Sequence, residues 1–164
     1  MTDRLKDRAL VAKLASIAAA LILGTAYVFQ FGFGYQPCAL CYNQRYPYMV
    51  IIGLAVVASL LGWFQKAWYL AAQAALFATV SGYALYHVGV EQKWWAGPSS
   101  CTGGGTFEVP AGGFDLTAAM SETKIVMCDE VAWELLGISM AGYNFILSFG
   151  LMLLCLFALW KGKS

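Results

Sequence analysis

The sequence predicts an all-α membrane protein: an antiparallel bundle of four transmembrane helices with a long loop between the third and the fourth. Three observations predict it. The chain has 164 residues, 60% of them hydrophobic and only 12% charged, whereas a soluble domain carries about a quarter charged residues. Four runs, at residues 14–35, 46–64, 67–90 and 135–160, contain no Asp, Glu, Lys or Arg. Each reaches or approaches the ~20 residues that a helix needs to cross a bilayer. The runs do not alternate as barrel strands do, and in lipid only helices and closed barrels satisfy their own backbone. With no internal repeat or low-complexity tract, residues 1–164 read as one domain.

The first run follows a basic segment and contains the small-x-small triplet Gly24-Thr25-Ala26, as a cleaved signal peptide would. Its apolar character continues through Tyr27, Val28 and Phe29, so a retained span is expected. In the second run Pro47 suits the first helical position, which places the start of the helix proper at Tyr46. Only Gln65 and Lys66 separate the second run from the third, so these two helices are antiparallel neighbours. Small residues on them (Gly53, Ala55, Ala71, Ala72, Ala74, Ala75, Ala78, Ser81 and Gly82) are read as helix-packing positions. The last run carries Cys155 among leucines, where a thiol behaves as an inert small hydrophobe.

Four spans put both termini on one side together with Lys66. That side holds Arg4, Lys6, Arg8, Lys13, Lys66, Lys161 and Lys163, against Arg45, Lys93 and Lys124 on the other. The positive-inside rule therefore places the termini in the cytoplasm. Basic residues here report topology, so the net charge of +1 implies no nucleic-acid partner.

The outer segments are residues 36–45 and 91–134. In a bacterium they face an oxidising periplasm, where disulfides persist. They hold four of the five cysteines. If each segment pairs internally, the bridges are Cys38–Cys41 and Cys101–Cys128. The second would close a 28-residue loop rich in glycine, a staple of roughly 3–4 kcal/mol on the chain-entropy estimate. The first closes almost no chain, so a two-residue spacer points to redox exchange or metal binding. Metal is not expected, because Cys101 and Cys128 lack the close spacing of zinc sites and the chain has one histidine.

Arg45 follows Cys41 by four residues, on the same face if the segment is helical. A cation there favours the thiolate, the nucleophilic form. His87 lies near the outer end of the third helix, at the level of Cys41 and Arg45. Ionisable groups at such depths tend to be functional, and Arg45 and His87 are suited to hydrogen-bond the carbonyl oxygens of a quinone.

Pro37-Cys38-x-x-Cys41-x-x-x-Arg45 after one span, a tight hairpin, Tyr86-His87 closing the third run, a long loop with Cys101 and Cys128, then Trp133 and residues 136–139 leading into the last helix: this combination resembles the bacterial DsbB family over essentially the whole chain. The resemblance implies an inner-membrane oxidoreductase that supports disulfide bond formation. In the implied relay a periplasmic DsbA-like thioredoxin-fold oxidase attacks the Cys101–Cys128 disulfide. Cys101 forms the mixed disulfide, Cys128 exchanges with Cys38, and Cys41 passes electrons to ubiquinone or menaquinone with help from Arg45 and His87. Where the best-known members carry a glutamine four residues after the histidine, this chain has Glu91, with Gln92 beside it. The glycine run at residues 103–105 is not part of the family pattern.

Two alternatives remain open at this level. A vitamin K epoxide reductase-like enzyme shares the four-helix, two-pair logic but would carry its Cys-x-x-Cys on the last helix, where this chain has only Cys155. A disulfide-stapled structural membrane protein would keep its cysteines oxidised and exchange with nothing.

Overall fold

The computed structural model describes residues 7–98 and 127–162. Four long helices form a bundle: α1 (Arg8–Tyr27), α2 (Ala39–Leu61), α3 (Ala67–Glu91) and α4 (Met140–Lys161). The side chain of Asp7 accepts from the Ala9 and Leu10 amides and starts α1, which a π-helical turn, Val28–Gly32, extends. Gly62 ends α2 with φ +68°, a left-handed conformation that glycine adopts without penalty. A short 3-10 turn, Trp63–Gln65, then leads into α3. Before α4, a two-residue hairpin pairs β1 (Glu134–Leu135) with β2 (Ile138–Ser139), Leu135 opposite Ile138. The hydroxyl of Ser139 caps α4 by accepting from the Gly142 amide.

The helices run up and down. At one end the Arg8 guanidinium donates to the Leu159 carbonyl, and Lys13 lies over the Phe64 ring. The end of α1, the start of α2, the end of α3 and the start of α4 meet at the other, here called the mouth. Both ends of the described chain therefore lie opposite the Cys38–Cys41 segment. Glycine-rich residues 103–105, Cys101 and the apolar stretches at 114–126 fall outside the described residues.

With Gly32 as its end, α1 joins α2 and α4 as one of the three helices among the described residues that are long and apolar enough to cross a membrane. Their outward faces are apolar: Leu60 and Trp160 are each 80% exposed. This inverts the arrangement of a water-soluble protein and fits a multi-pass membrane protein. The 25 residues of α3 match the other helices in length, but Gln73, Ser81 and His87 dilute its apolarity. The reason is its position. Eleven of its residues are buried, against four on α4, so its polar groups face other helices. Gln73, for example, donates to Ser16 Oγ at 2.8 Å and to the Ala12 carbonyl at 3.2 Å.

Two expectations change. Helix α2 begins at Ala39, not Tyr46, and carries Pro47 inside it. Cys38 supplies the cap and Leu40, Gln44 and Arg45 bury their side chains in the first turns. That packing outweighs the single backbone hydrogen bond a proline forfeits. The small residues also sort differently. Ala71, Ala75, Ala78, Gly53 and Gly82 face outward, while Ala12, Ala15 and Ala19 of α1 are fully buried in the core with Ile51, Phe77 and Val80.

The α1 interface gives a stability prediction. Ala15→Leu adds three carbons to a site with no exposed surface, and overpacking of this kind costs about 1–3 kcal/mol. Ala20→Leu, on the outward face of the same helix, leaves stability nearly unchanged. Thermal unfolding in detergent compares the two, and equal midpoints would show that α1 does not pack as described.

Candidate functional site

Cys38 is both the cap of α2 and the centre of the mouth. Its backbone is extended (φ −76°, ψ 172°) and its sulfur accepts from the Cys41 amide at 3.3 Å. The two sulfurs lie 3.0 Å apart and share a hydrogen bond, the dithiol form of the pair. His87, one turn before the end of α3, brings Nε2 to 3.6 Å from the Cys38 sulfur. Hydrogen bonding from the Cys41 thiol holds the Cys38 pKa far below the ordinary thiol range, opposed by burial and assisted by His87 and the Cys41 amide. Three donors thus converge on the Cys38 sulfur, 5% exposed, while Cys41 is half-buried.

A polar chain behind His87 fixes the ring. The Tyr48 hydroxyl donates to Asn144 Oδ1 at 2.6 Å, and Asn144 Nδ2 donates to Gln44 Oε1 at 2.6 Å. Gln44 Nε2 lies 2.8 Å from His87 Nδ1. Three helices, α2, α3 and α4, are joined by these four side chains. One turn beyond His87, Glu91 sets Oε1 3.8 Å from Nε2, with its side chain 5% exposed, and accepts from the Ser139 hydroxyl through Oε2.

Arg45 is buried and points toward α1 rather than onto Cys41. Its guanidinium donates to the Gln30 side chain and, at 3.4 Å, to the Ala26 carbonyl. The Tyr27 and Tyr42 rings lie 5.1 and 5.5 Å from it. Among the described residues the guanidinium is held by dipoles and π-faces and forms no ion pair with an acid.

Both sulfurs, Arg45, His87 and Glu91 line one cavity of about 420 Å³, whose other walls come largely from apolar residues such as Phe29, Trp133 and Leu147. That size is typical of small-molecule sites. Cys128 is fully buried in a cluster with Cys38, Leu40 and Val90. It is disulfide-bonded, and its backbone hydrogen-bonds the His87 ring. Lys93 and Asp129, an exposed ion pair at 2.6 Å, tie together the segments leaving α3 and approaching α4. Cys155 sits in the core cluster with Tyr69 and Ala158, 11 residues along α4 from Asn144 and thus about 16 Å away.

The fold therefore gathers Cys38, Cys41, Arg45, His87 and Cys128 at one end, with Cys101 outside the described residues. Gln44, Asn144 and Gln30 were missed by the sequence reading. Each is an uncharged polar residue in or beside an apolar run, and that incongruity was the available signal.

Residues 8–158 match the family described as disulfide bond formation protein DsbB. The chain belongs to the DsbB family. Among individual relatives, a disulfide bond formation protein B of Verminephrobacter eiseniae is 33% identical, over 95% of this chain and 88% of its own. Another from Aromatoleum aromaticum is 30% identical over 85% and 84%. An uncharacterized protein of Rickettsia prowazekii is 28% identical over 97% and 92%. No solved structure matches the chain significantly. Membership of the DsbB family makes this a disulfide bond formation protein.

The electrostatics of the dithiol give a second prediction. A lowered pKa means that the Cys38 thiolate exists above that pKa and is lost only as the pH falls through it. The 240 nm absorbance difference between the reduced protein and Cys38→Ser is expected to titrate with a midpoint below pH 7, and His87→Gln moves it upward. A midpoint near the ordinary thiol value of about 8.5 would contradict the geometry.

Proposed function

We propose that this DsbB-family protein is an inner-membrane thiol–quinone oxidoreductase that reoxidises a periplasmic DsbA-like thioredoxin-fold oxidase and passes the electrons to ubiquinone or menaquinone. All four helices cross the bilayer in this reading, with the termini cytoplasmic and the mouth periplasmic. The observation that carries it is the cavity: one space of about 420 Å³ bounded by both sulfurs, by Arg45 and His87, and by an apolar wall. Two polar donors opposite an apolar surface suit a flat ring with carbonyl oxygens.

The relay starts at the Cys101–Cys128 disulfide. A thiolate of the reduced partner attacks Cys101, forming a mixed disulfide and releasing Cys128 as thiolate. Cys128 then attacks Cys38 of the oxidised Cys38–Cys41 pair, which its burial beside Cys38 supports, and Cys41 leaves as thiolate. At that stage the Cys38 sulfur is engaged in a disulfide, so the negative charge rests on Cys41, nearer the charge of Arg45. The partner's second thiolate then attacks its own sulfur in the mixed disulfide, which closes the partner's disulfide and frees Cys101, and Cys101 attacks Cys128 in the Cys38–Cys128 bond, which restores the Cys101–Cys128 disulfide and leaves Cys38 and Cys41 as a dithiol. As Cys38 and Cys41 close again, this dithiol gives two electrons and two protons to the quinone, which becomes the quinol. Arg45 and His87 hold the carbonyl oxygens, and the apolar wall excludes water.

The reading is tested by mixing the reduced partner oxidase with the protein and ubiquinone and following quinone absorbance. Cys41→Ser abolishes turnover and Cys155→Ser leaves it intact. Arg45→Met raises KM for quinone by about 10- to 100-fold, the worth of one hydrogen bond from a charged donor. Normal turnover by Cys41→Ser would overturn the reading.

A further inference from the structure

We propose that Cys38, Cys41 and His87 form a binding site for a thiophilic divalent ion of the zinc class, available only while the cysteine pair is reduced. The ligand atoms of the three residues lie within 4.8 Å of one another. Spacing along the chain gave only two ligands, and the third arrives from α3 through the fold.

The distances fit tetrahedral coordination. Bonds of about 2.3 Å to sulfur and about 2.0–2.1 Å to nitrogen space sulfur from nitrogen by about 3.6 Å and two sulfurs by about 3.8 Å. The Cys38 sulfur is 3.6 Å from His87 Nε2 already. The sulfurs, 3.0 Å apart, have to open by about 0.8 Å, a change within reach of a rotation of the half-buried Cys41 side chain. Thiolate and imidazole together select zinc-like ions over magnesium or calcium.

The surrounding hydrogen bonds accommodate the ion as well. Binding through Nε2 requires the ring proton on Nδ1. Gln44 and Asn144 are amides and Tyr48 a hydroxyl, so the chain can run in the reverse sense, with the Gln44 carbonyl accepting from Nδ1–H. A carbonyl partner of this kind is the usual support of a metal-bound histidine. In the binding step the two thiols lose two protons as two metal–sulfur bonds form, and nothing is oxidised or reduced. Closing the Cys38–Cys41 disulfide removes both thiolates and abolishes the site. A bound ion in turn keeps the pair from closing, so it arrests the proposed relay in its reduced state.

This inference rests on the reduced pair and not on quinone reduction, so the two fail separately. Reduced full-length protein in detergent is titrated with Co2+, followed by Zn2+. The expected result is one Co2+ per chain, with sulfur-to-metal charge-transfer bands and the intense visible bands of a tetrahedral site, bleached by Zn2+. Oxidised protein shows none. Cys41→Ser loses the charge-transfer intensity, and His87→Gln weakens Co2+ binding by at least the roughly 10- to 100-fold that loss of an outer-sphere partner costs, while circular dichroism shows the helices retained. Cys101→Ser keeps the bands. Bands that survive His87→Gln unchanged, or that vanish with Cys101→Ser, place the ion elsewhere and overturn the site. Protein that reduces quinone but binds no Co2+ overturns the metal site alone.

Discussion

The contact between the Cys38 sulfur and His87 Nε2 is the constraint on which the mouth depends. It joins the cap of α2 to the last turn of α3, and the amide chain through Gln44, Asn144 and Tyr48 extends it to α4. In lipid an unpaired polar group costs several kcal/mol, so these side chains have few alternative partners. Helices whose apolar faces slide easily against one another are thereby held in one register. Ser139 on Glu91 and Arg45 on Gln30 add fixed points around the same end, so α1 also joins the arrangement. The opposite end has its own polar group, Gln73 with Ser16 and Tyr69, and between the two ends packing is mostly aliphatic and aromatic.

The chemistry follows from how differently the two sulfurs are held. Cys38 is enclosed between a histidine, a backbone amide and Cys128. Cys41 lines the cavity and is only half-buried. In the proposed relay the enclosed sulfur exchanges with another cysteine and the half-buried one meets the small-molecule acceptor. Arg45 is held by Gln30, a carbonyl and two rings, and among the described residues it forms no ion pair with a carboxylate.

Much of this was legible in the sequence where the signal was local. Cys38, Cys41 and Arg45 share one short segment, and His87 falls at the end of an apolar run, so spacing and hydropathy were enough to place them together. Gln44 and Asn144 were not legible in their roles, because the role exists only when α2 and α4 abut. The direction of the thiolate went the same way. Arg45 is the obvious neighbour of Cys41 along the chain, yet three donors meet Cys38, and one of them comes from a different helix. Pro47 misled for a related reason: its local preference is to start a helix, and burial of Leu40, Gln44 and Arg45 won. Among the small residues, composition could not tell an alanine that faces a helix from one that faces lipid.

In the proposed relay the cap of α2 is also a redox atom, and this couples helix geometry to electrochemistry. A side-chain cap stabilises a helix start by about 0.5–2 kcal/mol, and a thiolate is a better acceptor for the Cys41 amide than a disulfide sulfur. The first turn of α2 therefore favours the reduced pair. A preference of this kind raises the reduction potential of the pair. A helix terminus thus serves as a fine adjustment of oxidising strength, set by backbone geometry before any substrate arrives.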